Sequence, residues 1–186
     1  HCAEGFKLKL FCVNPVNNLE ECLKKATATV FFSATLLPIQ YYKNLLSTNP
    51  DNYAIYAEST FQEEQRLLLF GNDVSTKYTR RNDAEFTRIA EYIVQTIHCK
   101  KGNYMVFFPS YRLMSRVHEV FCEMDGGRAH TICQESGMRE AAREEFLQSF
   151  EQEYESSFVA FCVMGGIYSE GIDLAGDKLI GAIIVG

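Results

Sequence analysis

Residues 156–186, SSFVAFCVMGGIYSEGIDLAGDKLIGAIIVG, indicate the fold class of this chain. Two continuous apolar runs, at residues 158–164 and 179–185, are rich in β-branched and aromatic residues, which is typical of strands buried on both faces of a parallel sheet. Ligands bind at the carboxyl ends of strands in open α/β sheets, so the loop between the runs is the first candidate for a functional site. Its polar and glycine residues include Ser169, Glu170, Gly171, Asp173 and Asp177.

Composition limits the class of protein before any motif is considered. The 186 residues are 47% hydrophobic and 23% charged, which is enough to bury a substantial core. No apolar run approaches the roughly 20 residues that span a bilayer, and the first nine residues lack the apolar centre of a signal peptide. We therefore expect a cytoplasmic protein that does not contact a membrane. The net charge of -6 argues against a uniformly basic nucleic-acid binder but is compatible with a local basic groove.

The cysteines argue against a metal centre in this chain. All seven are scattered singly, and none belongs to a C-x-x-C pair of the kind that binds zinc or an iron–sulfur cluster. Several lie inside apolar runs, which favours buried free thiols. We therefore expect no iron–sulfur cluster in these 186 residues.

Strand and helix signals alternate along the chain. Apolar runs predict further strands at residues 7–13, 27–32, 53–57, 66–70, 104–108 and 128–133. Apolar residues at helical spacing predict helices at residues 17–26, 39–46, 82–97, 113–124 and 138–150. This order predicts an α/β protein with a mostly parallel β-sheet and helices on both faces. Asn, Pro and Asp cluster at residues 47–52, where we place a boundary.

Ser33, Ala34 and Thr35 form a small polar motif after the strand predicted at residues 27–32. Such hydroxyl groups can relay hydrogen bonds between a ligand and a neighbouring lobe. They can equally cap the helix predicted at residues 39–46, and the motif taken alone favours capping.

A second polar segment, VSTKYTRRND at residues 74–83, precedes the most regular amphipathic helix of the chain. Its three positive charges, on Lys77, Arg80 and Arg81, are interleaved with a tyrosine and could contact a phosphate backbone. A solvated loop before the helix is an equally simple interpretation.

Four segments together resemble the C-terminal half of the DinG/XPD-type superfamily 2 DNA helicases. They are SATLLP at residues 33–38, VSTKYTRRND at residues 74–83, VFFPSY at residues 106–111 and GGIYSEGIDLAGDKL at residues 165–179. The Ser-Glu-Gly-Ile-Asp sequence after a buried strand is the most specific of these. The resemblance implies a RecA-like fold in which residues 1–48 are the tail of a first motor domain with motif III. Residues 49–186 would be the second motor domain, truncated before motif VI.

The function implied by this resemblance is that of the C-terminal motor domain of an ATP-dependent DNA helicase. Such a domain couples ATP hydrolysis to translocation on single-stranded DNA and to duplex unwinding. ATP and Mg²⁺ would be bound mainly by the first motor domain, whose phosphate-binding loop is not in this sequence, so we expect the isolated chain to be inactive. The alternative is a non-catalytic RecA-like or flavodoxin-like module that binds nucleic acid or a protein.

The resemblance also implies roles for individual residues. Asp173 would accept a hydrogen bond from the ATP ribose or a nearby basic group, and Gly171 would let the backbone approach the nucleotide. Glu170, the second acidic residue of the catalytic site, would orient an arginine or a water. The implied contacts to single-stranded DNA are Arg81, Ser110, Tyr111, Gly165, Gly166 and Ser169. The residues implied to couple the two motor domains are Ser33, Ala34 and Thr35.

Overall fold

The computed structural model of the protein describes residues 8–169 and 171–186. The chain divides into two compact units between Leu67 and Leu68. The first unit contains two eight-residue helices, α1 (Val16–Leu23) and α2 (Ile39–Leu46). The segment after α2 is joined to α1 by Thr48, whose amide and hydroxyl both donate hydrogen bonds to Glu20 Oε2, at 3.1 and 2.9 Å.

The apolar runs of the first unit do not form strands. Residues 8–13, 27–32 and 53–57 are irregular and exposed, as is the run at residues 66–70 across the boundary, so these strand predictions are wrong for the described residues. Lys7, the first residue of one run, lies outside the described residues. β-Branched and aromatic runs form strands where a neighbouring strand and a buried face are available. None of residues 8–67 is buried, and Leu10 is 93% exposed.

The second unit is an α/β structure whose elements lie close to the predicted positions. A single 3₁₀ turn, at Tyr78–Arg80, precedes the first helix of this unit. The elements are α3 (Asp83–Cys99), β1 (Asn103–Phe108), α4 (Tyr111–Asp125), β2 (His130–Cys133), α5 (Glu140–Gln148), β3 (Phe158–Val163) and β4 (Gly181–Ile184).

These strands form one parallel sheet in the order β2-β3-β1-β4. β1 and β3 pair along their whole length, with Asn103 opposite Phe158 and Phe108 opposite Val163. β4 pairs with the other side of β1, and β2 pairs with the outer side of β3. Because the strands are parallel, their carboxyl ends lie at one edge of the sheet. The predicted parallel sheet is confirmed.

Helices cover both faces of this sheet, as predicted. Side chains alternate between the faces along a strand. On one face, α3 and α4 pack against β1 and β3 side chains that include Val106 and Phe161. On the other face, α5 and the segment after β3 pack against Met105, Ala160 and Cys162. The core therefore consists of two layers, one on each face of the sheet. Because both faces are covered, the exposed parts of the sheet are its edges and the loops at the strand ends.

The cysteine predictions are partly wrong. Cys12, Cys22, Cys99 and Cys122 are free but exposed, Cys133 is half-buried, and Cys162 is buried. Cys12 and Cys22 are exposed because the described part of the first unit has no buried core. In residues 8–169 and 171–186, no three His, Cys, Asp or Glu side chains come together as a metal site. The helices in this part of the chain include none with the length and hydropathy of a membrane span.

Candidate functional site

The carboxyl ends of β1 and β3 bring two of the predicted motifs side by side. Beyond the last residue pair of these strands, Met164 N donates a hydrogen bond to Phe108 O at 2.8 Å. The segments that follow β1 and β3 therefore leave the sheet side by side. The residues that follow at this edge are Ser110, Tyr111, Gly165 and Gly166.

Gln134 joins the two motifs through a side chain that is only 3% exposed. Its Oε1 accepts from Val163 N at 2.9 Å, and its Nε2 donates to the Tyr111 hydroxyl at 3.1 Å. A Cβ on Gly166 would lie 2.8 Å from that Nε2, so only glycine fits beside the amide without displacing it. Sequence reasoning missed Gln134, although its place directly after the strand at residues 128–133 is itself a signal for this edge.

The turn after β3 is built on glycine. Gly165 has φ +68, in the left-handed region that favours glycine, and Gly166 N donates to Val163 O at 3.1 Å. Ser169 N then donates to Gly166 O at 3.1 Å, and the Ser169 side chain is exposed. Among the described residues, the N–H groups of Gly165 and Ile167 have no acceptor, so this turn can donate hydrogen bonds to an anion.

Tyr168 fixes the same loop to the sheet. Its side chain is 1% exposed and stacks on the Phe146 ring of α5 with ring centres 4.2 Å apart. Burial raises the pKa of Tyr168 to about 12, so the phenol is neutral at physiological pH. Its hydroxyl lies 3.5 Å from Met138 Sδ. Tyr168 is therefore a structural anchor beside the exposed Ser169, whose Oγ donates to Val163 O at 3.5 Å.

Asp173 lies on the exposed side of the connection from β3 to β4. Its neighbours Ile172 and Leu174 pack against the second core layer, so Asp173 faces outward. Within residues 8–169 and 171–186, no side chain or backbone group forms a hydrogen bond or ion pair with its carboxylate. Gly171, two residues earlier, has φ +73. Glu170 lies outside the described residues, and its predicted role stays a prediction.

The cations of the segment at residues 74–83 are not equivalent. Arg80 is paired with Glu85, with Arg80 Nη2 3.2 Å from Oε1. Arg81 donates from Nε to Thr76 O at 3.0 Å, and its guanidinium lies 5.8 Å from the Tyr78 ring centre. This distance permits a cation–π interaction. Arg81 is thus held in place while its terminal nitrogens stay available.

This segment lies on the carboxyl side of the sheet. Only residues 100–102 connect α3 to β1, so the C-terminal end of α3 lies at the amino edge and its N-terminal end lies on the opposite side. In agreement, Asp83 Oδ1 at the start of α3 is 3.5 Å from Arg116 Nη2 in the first half of α4. Arg81 therefore faces the same side of this unit as the motifs after β1 and β3.

Two hydroxyl motifs have local roles in the structure. Ser110 is the N-cap of α4 and its Oγ accepts from Leu113 N at 3.4 Å. Ser33 and Thr35, in the first unit, form an exposed turn in which Ser33 Oγ accepts from Thr35 N at 3.2 Å. They do not cap α2, whose N-cap is Pro38, so the capping interpretation is wrong. Ala34 lies in the same turn.

Comparison with known proteins identifies the family. Residues 93–186 match the family described as the helicase C-terminal domain, which is half of the chain. The chain belongs to this helicase family. Within the helicase C-terminal domain lie α4, the whole sheet and every site residue from Ser110 to Asp173, whereas Arg81 and Ser33 precede the matched range.

Similar curated proteins are much longer than this helicase C-terminal domain. The ATP-dependent DNA helicase XPD of Sulfolobus acidocaldarius is 30% identical over 91 residues, which cover 47% of this chain and 16% of that protein. The ATP-dependent DNA helicase chl1 of Aspergillus fumigatus is 24% identical over 210 residues, which cover 100% of this chain and 27% of that protein. The chain thus spans about a sixth to about a quarter of the length of these relatives.

A solved XPD helicase structure resembles this chain with a TM-score of 0.50 at 25% identity, over 62% of this chain and 20% of that one. This similarity confirms the RecA-like α/β fold that the motifs implied. The predicted relationship to DinG/XPD-type helicases is confirmed as well.

Proposed function

We propose that this chain belongs to an ATP-dependent DNA helicase that moves on single-stranded DNA, and that its helicase C-terminal domain is part of the second motor domain. The observation that carries the proposal is the pairing of two motifs at the carboxyl edge through Gln134, inside the residues matched to the family. The names of the relatives, ATP-dependent DNA helicases, support it. In this proposal residues 1–48 are the tail of the first motor domain and residues 49–186 form the second.

Single-stranded DNA would bind across the carboxyl edge. Phosphate oxygens accept hydrogen bonds from backbone N–H groups, hydroxyls and guanidinium groups, and aromatic rings can stack on bases. The turn after β3 offers the N–H groups of Gly165 and Ile167 and the exposed hydroxyl of Ser169. The side chain of Gln134 fixes the Tyr111 hydroxyl, and Ser110 lies next to it. The set proposed to contact DNA is Arg81, Ser110, Tyr111, Gly165, Gly166 and Ser169.

ATP and Mg²⁺ would be bound between this domain and the first motor domain, with this domain supplying one wall of the site. Asp173 offers an exposed carboxylate that can accept a hydrogen bond from a ribose hydroxyl. Gly171, with its positive φ, lets the backbone approach the nucleotide without a side chain in the way. Glu170 would orient a cationic group or a water. The turn Ser33, Ala34 and Thr35 would transmit the nucleotide state between the motor domains.

The DNA part of the proposal can be tested with the 186-residue chain. Fluorescence anisotropy of a labelled single-stranded oligonucleotide measures the affinity between 50 and about 300 mM salt. We expect weak binding whose logarithm falls linearly with the logarithm of salt concentration, by about 0.7 for each phosphate contact. Arg81→Ala should weaken binding and lower this slope by about one contact.

The matched control is Arg128→Ala. Arg128 is also exposed, but it lies in the loop between α4 and β2, at the amino edge of the sheet. The control removes the same charge from the other side of the unit and should leave the affinity within about twofold of the unaltered chain. Equal losses for the two variants would contradict a site at the carboxyl edge. An absence of DNA binding at low salt would favour a module that binds protein.

A further inference from the structure

Glu85 is a buried acidic residue outside the motifs that the function uses. It lies in the first turn of α3 and is 3% exposed. Its backbone N donates to Asn82 Oδ1 at 3.0 Å, which is the capping bond that starts the helix. A carboxylate is buried in proteins only when charged or polar partners compensate for its lost hydration. The partners of Glu85 therefore show what the burial achieves.

Both oxygens of this carboxylate are engaged. Oε2 accepts from Ser75 N at 2.9 Å, and Oε1 lies 3.2 Å from Nη2 of Arg80 and 3.2 Å from Nη1 of Arg88. The two arginine side chains are half-exposed and can regain hydration if the pair is broken. The Ser75 amide is part of the backbone and cannot rearrange as easily. The contact with Ser75 is thus the one that fixes the loop.

A continuous set of contacts leads from Glu85 to Arg81. Glu85 holds the backbone at Ser75, and the carbonyl of the next residue, Thr76, accepts from Arg81 Nε at 3.0 Å. The guanidinium also lies 5.8 Å from the ring centre of Tyr78, within the range of a cation–π interaction. Only the terminal nitrogens of Arg81 are left to donate. A guanidinium fixed through Nε presents its terminal nitrogens in one defined orientation, which suits the geometry of a phosphate.

We propose that Glu85 is a positioning residue that aims Arg81 at a phosphate group of the bound single strand. The inference rests on the proposed function, because it assumes that Arg81 contacts DNA. Glu85 also pairs with Arg80 and Arg88, so among the cations of residues 74–88 only Lys77 and Arg81 have no carboxylate partner within the part of the chain that the structure describes.

A double-mutant cycle on DNA affinity tests the proposal. Arg81→Ala should weaken binding of a labelled single-stranded oligonucleotide by roughly tenfold, the loss of one charged hydrogen-bonded contact. Glu85→Ala should weaken it by several-fold, because the guanidinium is no longer aimed. The Glu85→Ala/Arg81→Ala chain should bind no more weakly than Arg81→Ala alone. Glu85→Gln keeps an oxygen that can accept from Ser75 N and should restore most of the affinity.

Arg80→Ala is the matched control. It removes a partner of Glu85 and a positive charge of the same loop but leaves the contact of Glu85 with Ser75 in place, so the affinity should change by no more than about twofold. If Glu85→Ala does not fold, as judged by circular dichroism, Glu85→Asp goes through the same cycle. It keeps the charge but withdraws the carboxylate from Ser75 by one methylene.

The outcomes separate the two proposals. Additive effects of the two substitutions, or loss of affinity in Arg80→Ala equal to that in Glu85→Ala, would overturn the role of Glu85 and leave the DNA site intact. No effect of Arg81→Ala would instead contradict the DNA contact in the proposed function. A threefold or greater departure from additivity with rescue by glutamine supports the positioning role.

Discussion

Individual side chains at the carboxyl edge divide into those that build the site and those that are free to bind. Gln134 and Tyr168 are buried and hold the loops after β1 and β3. Asp173 and Ser169 are exposed in the loop that these anchors support. Buried anchors beside exposed polar residues allow substitution at the exposed positions without loss of the fold.

Asp173 provides the most direct residue test of the nucleotide site. Asp173→Asn in the intact protein should remove most of the DNA-stimulated ATP hydrolysis, because the amide has no charge and replaces one acceptor oxygen of the carboxylate with a donor. The thermal stability should change little, since the carboxylate is exposed and outside the core. Steady-state ATPase kinetics with and without single-stranded DNA measure the effect. Unaltered turnover in a folded variant would contradict the role of Asp173.

Sequence motifs identified several residues at this edge but missed the buried side chain of Gln134, which holds them. Ser110, Gly165 and Gly166 could be placed because they follow apolar runs at strand ends. The contacts of Gln134 could not, because its partners come from separate elements. Gln134 contacts residues 23 and 29 positions away in the chain, and such distant pairs leave no local pattern.

At the scale of elements, the packing of α4 against β2 includes a half-buried histidine. His118 Nε2 lies 3.1 Å from Thr131 Oγ1 and 3.3 Å from Cys122 Sγ, and its ring packs against the Phe161 ring at 4.7 Å. Burial lowers the pKa of His118, although the nearby Glu119 carboxylate opposes the shift. The folded domain therefore favours the neutral imidazole between α4 and β2.

This histidine predicts a pH-dependent stability. The unfolded chain binds a proton on His118 near pH 6.5, whereas the folded chain does so only at lower pH. The contribution of neutral His118 to the free energy of unfolding is therefore complete above pH 6.5 and decreases as the pH falls below that value. One proton limits the slope to about 1.4 kcal/mol per pH unit. Urea titrations between pH 7.5 and 5.5 measure it.

The control for this prediction is His118→Asn. Its free energy of unfolding should depend less on pH between pH 7.5 and 5.5. The carboxylates of Asp73 and Glu151 do not interfere in this window. The pKa of Asp73 is lowered by its hydrogen bond from Tyr92, and that of Glu151 by Lys178, so their contributions are lost only at more acidic pH. An equal slope in His118→Asn would show that other groups cause the dependence.

Strands could be predicted from the sequence where the chain also provides a neighbouring strand and helices that cover both faces. The apolar runs of β1 and β3 pair with each other and lie between two helix layers, and they form strands as predicted. Runs of similar composition at residues 27–32 and 53–57 stay irregular. Composition records the tendency to form a strand, but a strand also requires a neighbour, which a single-sequence pattern does not reveal.

For the whole molecule, the proposal predicts that the purified 186-residue chain does not hydrolyse ATP. Its sequence has no G-x-x-x-x-G-K-[ST] loop, and a domain that supplies only one wall of the nucleotide site lacks the backbone cradle and lysine that hold the phosphates. A coupled ATPase assay with and without single-stranded DNA measures this. Turnover well above background would show that the division of the chain into parts of two motor domains is wrong.

The central claim is that single-stranded DNA binds at the carboxyl edge of the sheet, and mapping the amides of the ¹⁵N-labelled chain by NMR during titration with a short oligonucleotide tests it most directly. We predict that chemical-shift changes concentrate at Gly165, Gly166, Ser169 and Tyr111. The amides of Gly102 and Ser157, at the amino edge, should stay unchanged. Changes confined to the amino edge, or no changes at saturating oligonucleotide and low salt, would contradict the claim.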